Sequence, residues 1–201
     1  MYALIGDLVG SRRLSDRAGA QRQVGAALRD VASALPGLQP LEQTFADEFQ
    51  GGYATLGDAT RAALLVRLTL LPAIDVRCGI GFGETDVYDD SRTPLVQDGP
   101  AWWSARAALE ELGAPRRNAV RTWFVGPDES RARLANAHLL CRDALVDRLS
   151  ERGCRMLRLA LLGESQQRIA EAEGITKSAV SQQFARGIGA VRAAQDLLKE
   201  A

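Results

Sequence analysis

Histidine is all but missing from this chain: the one that occurs, His138, sits in a helical run between Ala137 and Leu139. It reads as a helix residue rather than a metal ligand. Cysteine is scarce as well. Cys78, Cys141 and Cys154 are odd in number, far apart and without metal-ligand spacing, which argues against a disulfide framework and for small buried side chains in a reducing compartment. No apolar run reaches the ~20 residues of a transmembrane helix. The segment Met1-Tyr2-Ala3-Leu4-Ile5-Gly6-Asp7 lacks a basic start and meets an acid too early for a signal peptide. A cytoplasmic protein with no membrane partner is the expectation. Net charge is lacking too, with 25 Lys and Arg against 25 Asp and Glu, so any basic surface for nucleic acid has to be local. Lysine is rare among those cations; the predominance of Arg suits phosphate recognition and equally fits the codon habits of a GC-rich genome.

What is present is an ordinary globular composition, 46% hydrophobic and 25% charged over 201 residues, enough for one large or two modest domains. Residues 2–8 are a short apolar run ending near Asp7, which predicts a buried strand. Over residues 16–35, Ala20, Val24, Ala27, Leu28, Val31 and Leu35 recur at helical spacing, and Pro36-Gly37 ends that helix. Residues 41–45 and 49–56 read as two strands joined tightly at Asp47-Glu48. Gly57-Asp58 offers an N-cap for a helix over 59–71, closed by Pro72. Residues 74–83 are a further strand whose glycines let something approach its backbone closely. A hairpin is expected over 85–96 around Asp89-Asp90-Ser91, then a helix over 101–112 that starts at Asp98-Gly99-Pro100. Residues 113–118 break the pattern, 120–125 supply a last strand, and beyond Gly126-Pro127 the chain reads as helical with no further Pro. That order predicts an α+β domain over 1–126, a mixed sheet with helices packed on it, followed by an all-α domain over 127–201.

Two acidic positions fall where an apolar strand gives way to a turn: Asp7, ahead of Leu8-Val9-Gly10-Ser11-Arg12, and Asp47 with its neighbour Glu48. Unpaired acids are costly there, and a divalent metal is one way to satisfy them. In that reading Asp7 and Asp47 carry Mg²⁺, the backbone carbonyl of Leu8 is an extra ligand, and Glu48 is a base or third ligand. Amides of Val9, Gly10 and Ser11 grip the phosphates, and Arg12 or Arg13 contacts phosphate. The competing reading is that both aspartates cap turns, and pattern alone leaves the two open. Trp102 and Trp103, adjacent at a helix start, point to core or dimer packing ahead of stacking on a purine.

These residues carry a resemblance. Asp7-Leu8-Val9-Gly10-Ser11-Arg12 resembles the first metal-binding turn of class III nucleotidyl cyclases, and Asp47-Glu48-Phe49 resembles the metal hairpin of diguanylate cyclases. Val76-Arg77-Cys78-Gly79-Ile80-Gly81-Phe82-Gly83-Glu84 is similar to the later strand both families share, and residues 99–110 are placed like the helix that follows it. Nearly the whole chain, including Gln97-Asp98-Gly99-Pro100-Ala101-Trp102-Trp103 and the C-terminal helices, more closely resembles the SatD family. The cyclase resemblance covers residues 1–112. It implies a ferredoxin-like, nucleotidyl-cyclase-like mixed sheet, Mg²⁺, ATP or GTP or a signalling nucleotide as ligand, and a homodimer, because both relatives work at a dimer interface. Arg106 takes the position of the Arg that meets transition-state charge in the class III enzymes. Trp102 stands where they carry Asn, and Phe45-Ala46 replaces the double Gly of the diguanylate cyclases. Metal and triphosphate binding are therefore better implied than turnover.

Residues 165–184 have helix-turn-helix spacing. Ala170 is small where two helices cross, Gly174 suits a turn that wants positive φ, and Ile175 and Val180 plug the space between the helices. Ser165 and Thr176 are natural N-caps, and residues 154–163 give an amphipathic helix beneath. The stretch resembles the DNA-binding regions of sigma factors and LuxR-type regulators, which implies double-stranded DNA as a partner. Lys177, Ser178, Ser181 and Gln182 would then face base edges, with Gln183 and Arg186 near the backbone or groove wall. Residues 152–201 hold eight cations against five anions, a modest excess that a dimer would double. A helical hairpin used for protein contacts is the alternative. Gly187 and Gly189 interrupt the chain before a last helix over 191–198.

The leading expectation is a transcriptional regulator that binds DNA and carries a cyclase-like nucleotide and metal sensor. One alternative is a Mg²⁺-dependent cyclase or nucleotidyltransferase that makes a signalling nucleotide and uses its tail for targeting. Another is a protein-interaction adaptor with a vestigial site.

Overall fold

The computed structural model describes residues 1–13, 15–45, 47–114 and 119–199. Strand β1 (Tyr2–Leu8) is the middle of a five-stranded sheet. It pairs antiparallel with β3 (Glu48–Tyr53) on one side and β4 (Val76–Phe82) on the other. β2 (Gln39–Gln43) lies outside β3, and β7 (Thr122–Val125) runs parallel to β4, so the sheet is mixed with the order β2-β3-β1-β4-β7. The expected hairpin forms as a separate two-stranded ribbon, β5 (Asp86–Asp89) and β6 (Val96–Asp98).

Alternation along β1 divides the core. Tyr2, Leu4 and Leu8 join the residues of α1 (Arg17–Ala34) and α2 (Leu56–Leu70), while Ala3 and Ile5 join α3 (Pro100–Leu112) on the opposite face. Several boundaries differ from those read in the sequence, among them that of β2, which runs Gln39–Gln43 rather than 41–45. Glu48 is the first residue of β3 rather than part of the turn, and α2 starts at Leu56, which had been assigned to the strand. The cap is Thr55, not Gly57-Asp58: its hydroxyl accepts the Asp58 amide at 3.0 Å and donates to the Asp58 carboxylate at 3.0 Å. Each partner satisfies the other, which outweighs the strand propensity of the preceding apolar run.

α2 is buried on the sheet side and on the far side as well. Beyond β7 follow α4 (Glu129–Val146), α5 (Glu151–Leu161), α6 (Gln166–Glu173), α7 (Lys177–Gln183), a π turn at Phe184–Ile188 and α8 (Gly189–Lys199). The apolar cluster that holds Leu4, Phe49 and Leu64 continues through Leu139, Met156, Leu157, Ile169, Val180, Ile188 and Val191. Polar bridges reinforce it. Gln195 donates to the Gly57 carbonyl at 3.0 Å and to the Thr60 hydroxyl at 2.8 Å, Arg158 donates to Thr69, and Arg61 pairs with Asp196. Ser165 and Thr176 cap α6 and α7, and between those helices Gly174 adopts φ +62°. Only Gly187 breaks the helical path before α8; Gly189 has helical angles. Cys78 and Cys154 are buried, but Cys141 is exposed, contrary to expectation, because it lies on the outer side of α4. Among the described residues no helix is long and apolar enough to cross a membrane.

The β7 edge of the sheet is closed by side chains. Asn136 of α4 accepts the Phe124 amide and donates to the Phe124 carbonyl, both at 2.8 Å. Two turns on, Asp143 accepts the amides of Arg121 and Thr122 at 2.8 and 2.9 Å. These supply the hydrogen bonds a further strand would have made.

Candidate functional site

The site lies at the end of β1, on the face toward α3. A Cβ at Gly79 would stand 2.3 Å from the carbonyl oxygen of Ala105, and one at Gly81 would stand 2.2 Å from the Ala105 nitrogen. The glycines of β4 thus let α3 lie directly on the strand, which identifies what approaches that backbone. Seated there, α3 carries Arg106 across to the start of β3.

The strand register gathers the acids. Asp7 stands opposite Glu48 across the β1–β3 pair and opposite Arg77 across the β1–β4 pair. Arg77 forks onto Asp7, Nε to Oδ1 at 2.9 Å and Nη2 to Oδ2 at 2.5 Å. Arg106 forks onto Glu48 at 2.7 and 2.9 Å. Asp47 is half-buried beside Glu48 and makes no hydrogen bond or ion pair among the described residues, but its charge acts on Arg77. The hydrogen bonds they donate to Asp7 and Glu48 hold the guanidiniums of Arg77 and Arg106 above their ordinary basicity, so both stay charged. Three carboxylates and two guanidiniums leave one negative charge in excess.

Hard carboxylate oxygens suit Mg²⁺. Among the described residues, however, no three His, Cys, Asp or Glu side chains form a ready-made metal site. The oxygens of Asp7 and Glu48 are engaged by arginines, and Asp47 has its own free. The donor chemistry fits a cation held by Asp47 and, once Arg77 turns aside, by Asp7.

The turn after β1 departs from expectation at one residue. The Val9 amide donates to the Asp75 carbonyl at 2.9 Å, so it is not free to grip phosphate. Gly10 and Ser11 are half-buried in the turn, and the Arg13 guanidinium lies against Gly10. The Leu8 side chain is in the core; the side chain of Arg12 lies outside the described residues. Arg77 was missed in the sequence, since only the register brings it opposite Asp7.

The two tryptophans part ways. Trp102 is buried with Ala3, Ile5 and Leu109, and its Nε1 donates to the Thr85 hydroxyl at 2.9 Å. Trp103 is 61% exposed, with Nε1 donating to Asp98 at 2.6 Å. Packing therefore accounts for Trp102 alone. His138 is half-buried on α4. On the C-terminal helices Lys177, Ser178, Ser181, Gln182 and Arg186 are exposed and Gln183 is half-buried.

Among known proteins, the family model described as "SatD family (SatD)" matches residues 1–188. No curated protein matches the chain. Among solved structures the chain is similar to two of a bacterial light-regulated adenylyl cyclase, each 14% identical, with TM-scores of 0.49 and 0.48. Each match covers 61% of this chain and spans 42% of the cyclase chain.

Proposed function

The chain belongs to the SatD family, and we propose that it binds a nucleoside triphosphate with Mg²⁺ and turns it over as a nucleotidyl cyclase or nucleotidyltransferase. The observation that carries this reading is the cluster at the end of β1, where Asp7, Asp47 and Glu48 are interleaved with Arg77 and Arg106. Such a mixture of hard anionic donors and guanidinium forks serves both partners of a metal–polyphosphate pair.

In the cyclase form of the reaction the ribose 3′-oxygen attacks the α-phosphorus. The new O–P bond forms as the bond to the bridging oxygen breaks, and pyrophosphate leaves. Glu48 takes the hydroxyl proton onto a carboxylate oxygen and so loosens its hold on Arg106, which then faces the charge that builds on the phosphoryl oxygens. Mg²⁺ held by Asp7 and Asp47 would neutralise the triphosphate and acidify the attacking hydroxyl. Arg77, released from Asp7, is free to pair with phosphate. Labelled ATP or GTP with Mg²⁺ should yield a cyclic or linear product with the wild-type protein, and Asp7→Ala should lower the yield at least 100-fold. Wild-type protein that neither binds nor converts either triphosphate would sink the proposal.

A second reading is favoured by the exposed side of α7, which presents Lys177, Ser178, Ser181 and Gln182, with Arg186 just beyond. Following a tight turn at Gly174, that side suits the major groove of double-stranded DNA, and a homodimer would read an inverted repeat. Footprinting on such a repeat should show protection that Gln182→Ala and Arg186→Ala both weaken. Unchanged protection in both variants removes this reading. Absence of any heat on mixing with nucleotide or DNA would leave the adaptor role.

A further inference from the structure

Beside the carboxylate cluster is a cavity of about 450 Å³ whose lining includes Ile5, Gln50, Gln97, Trp103, Arg106 and Glu110. Its floor is the Ile5–Gln50 cross-strand pair. That pair shares a face with Asp7 and Glu48 and lies two residues, about 7 Å, along the strands from them. Trp103 and Arg106 are three residues apart on α3, so their side chains are neighbours on one side of the helix.

Both are planar groups pinned by the edge. The indole nitrogen of Trp103 is satisfied by Asp98, and the Arg106 terminal nitrogens are satisfied by Glu48. With its one N–H engaged, the indole has only its flat face left to offer a ligand. An exposed indole beside an open cavity is apolar surface left in water, and a guanidinium face stacks on aromatic rings. Gln50 and Gln97, both half-buried, add side-chain amides able to donate and to accept.

We propose that this cavity takes the base of a purine nucleotide, stacked on Trp103 and read at its edge by Gln50 and Gln97. The proposal rests on the triphosphate reading above: it names the half of the ligand that the carboxylates do not touch. The larger two-ring system covers more of the indole than a pyrimidine, which is why a purine is favoured.

The test separates the two halves. Full-length protein is titrated with adenosine and guanosine while tryptophan emission is followed, and with ATP, GTP and inorganic tripolyphosphate in Mg²⁺ by calorimetry. At least one purine nucleoside should quench the emission, and Trp103→Phe should remove most of the quench. Trp103→Ala should weaken ATP or GTP about tenfold or more and leave tripolyphosphate unchanged. If ATP, GTP and tripolyphosphate bind equally well and Trp103→Ala changes none of them, the base site is wrong and the carboxylate reading stands. Quenching by nucleoside without any tripolyphosphate binding has the reverse meaning. Failure of both overturns both.

Discussion

Asp143 is fully shut off from solvent, yet it is shared by four donors: the amides of Arg121 and Thr122 and two nitrogens of Arg142. Arg142 is itself buried and reaches the Thr60 carbonyl and the Thr122 hydroxyl. Replacing the carboxylate would strand a buried guanidinium and two edge amides at once. Asp143→Ala should therefore cost about 3–5 kcal/mol, more than an exposed pair such as Arg133–Glu129 could. Urea titration of the two proteins checks this, and a loss under about 1 kcal/mol would show that solvent reaches the pair. Little of this was legible beforehand, because neighbouring Arg and Asp on a helix look like a solvated face until tertiary packing covers them. Asp7 and Asp47 could be picked out because a strand end and a tight turn are local features. Arg77 could not, because nothing local says which residue of β4 lies opposite Asp7.

Periodicity made the elements of the sheet domain legible, and their mutual seating was less so. β1, α1 and α3 fall where alternation and helical spacing put them. The start of α2 moved because a hydroxyl–carboxylate cap decided it, and the closing of the β7 edge by Asn136 and Asp143 depends on contacts that no window of sequence contains. The glycines of β4 did announce a close neighbour, though not which one. Their consequence belongs to α3 as a unit: at Gly81 a side chain would meet the Ala105 nitrogen and the Ala101 carbonyl, both backbone atoms that cannot swing away. Gly81→Val should lift α3 from β4, cost about 1–3 kcal/mol, and part Arg106 from Glu48. A lowered thermal midpoint together with altered emission from Trp102, which is buried under that helix, is the expected result. An unchanged midpoint would mean the helix has room to spare.

At the scale of the molecule, one apolar cluster runs from Leu4 in the sheet through α2 to Ile188 and Val191. Unfolding should therefore be a single cooperative event. The three tryptophans, Trp102, Trp103 and Trp123, all lie before residue 126, whereas most helical signal after that point comes from α4 to α8. Fluorescence and far-ultraviolet circular dichroism should give the same urea midpoint; midpoints that separate would reveal two independent units. The arrangement of α2 has a mechanical corollary. A rod clasped along both flanks has little slack, so a tilt imposed on it at the sheet would be felt at α5 and α8. Any communication along this chain would need no hinge, only a shaft that both halves already grip.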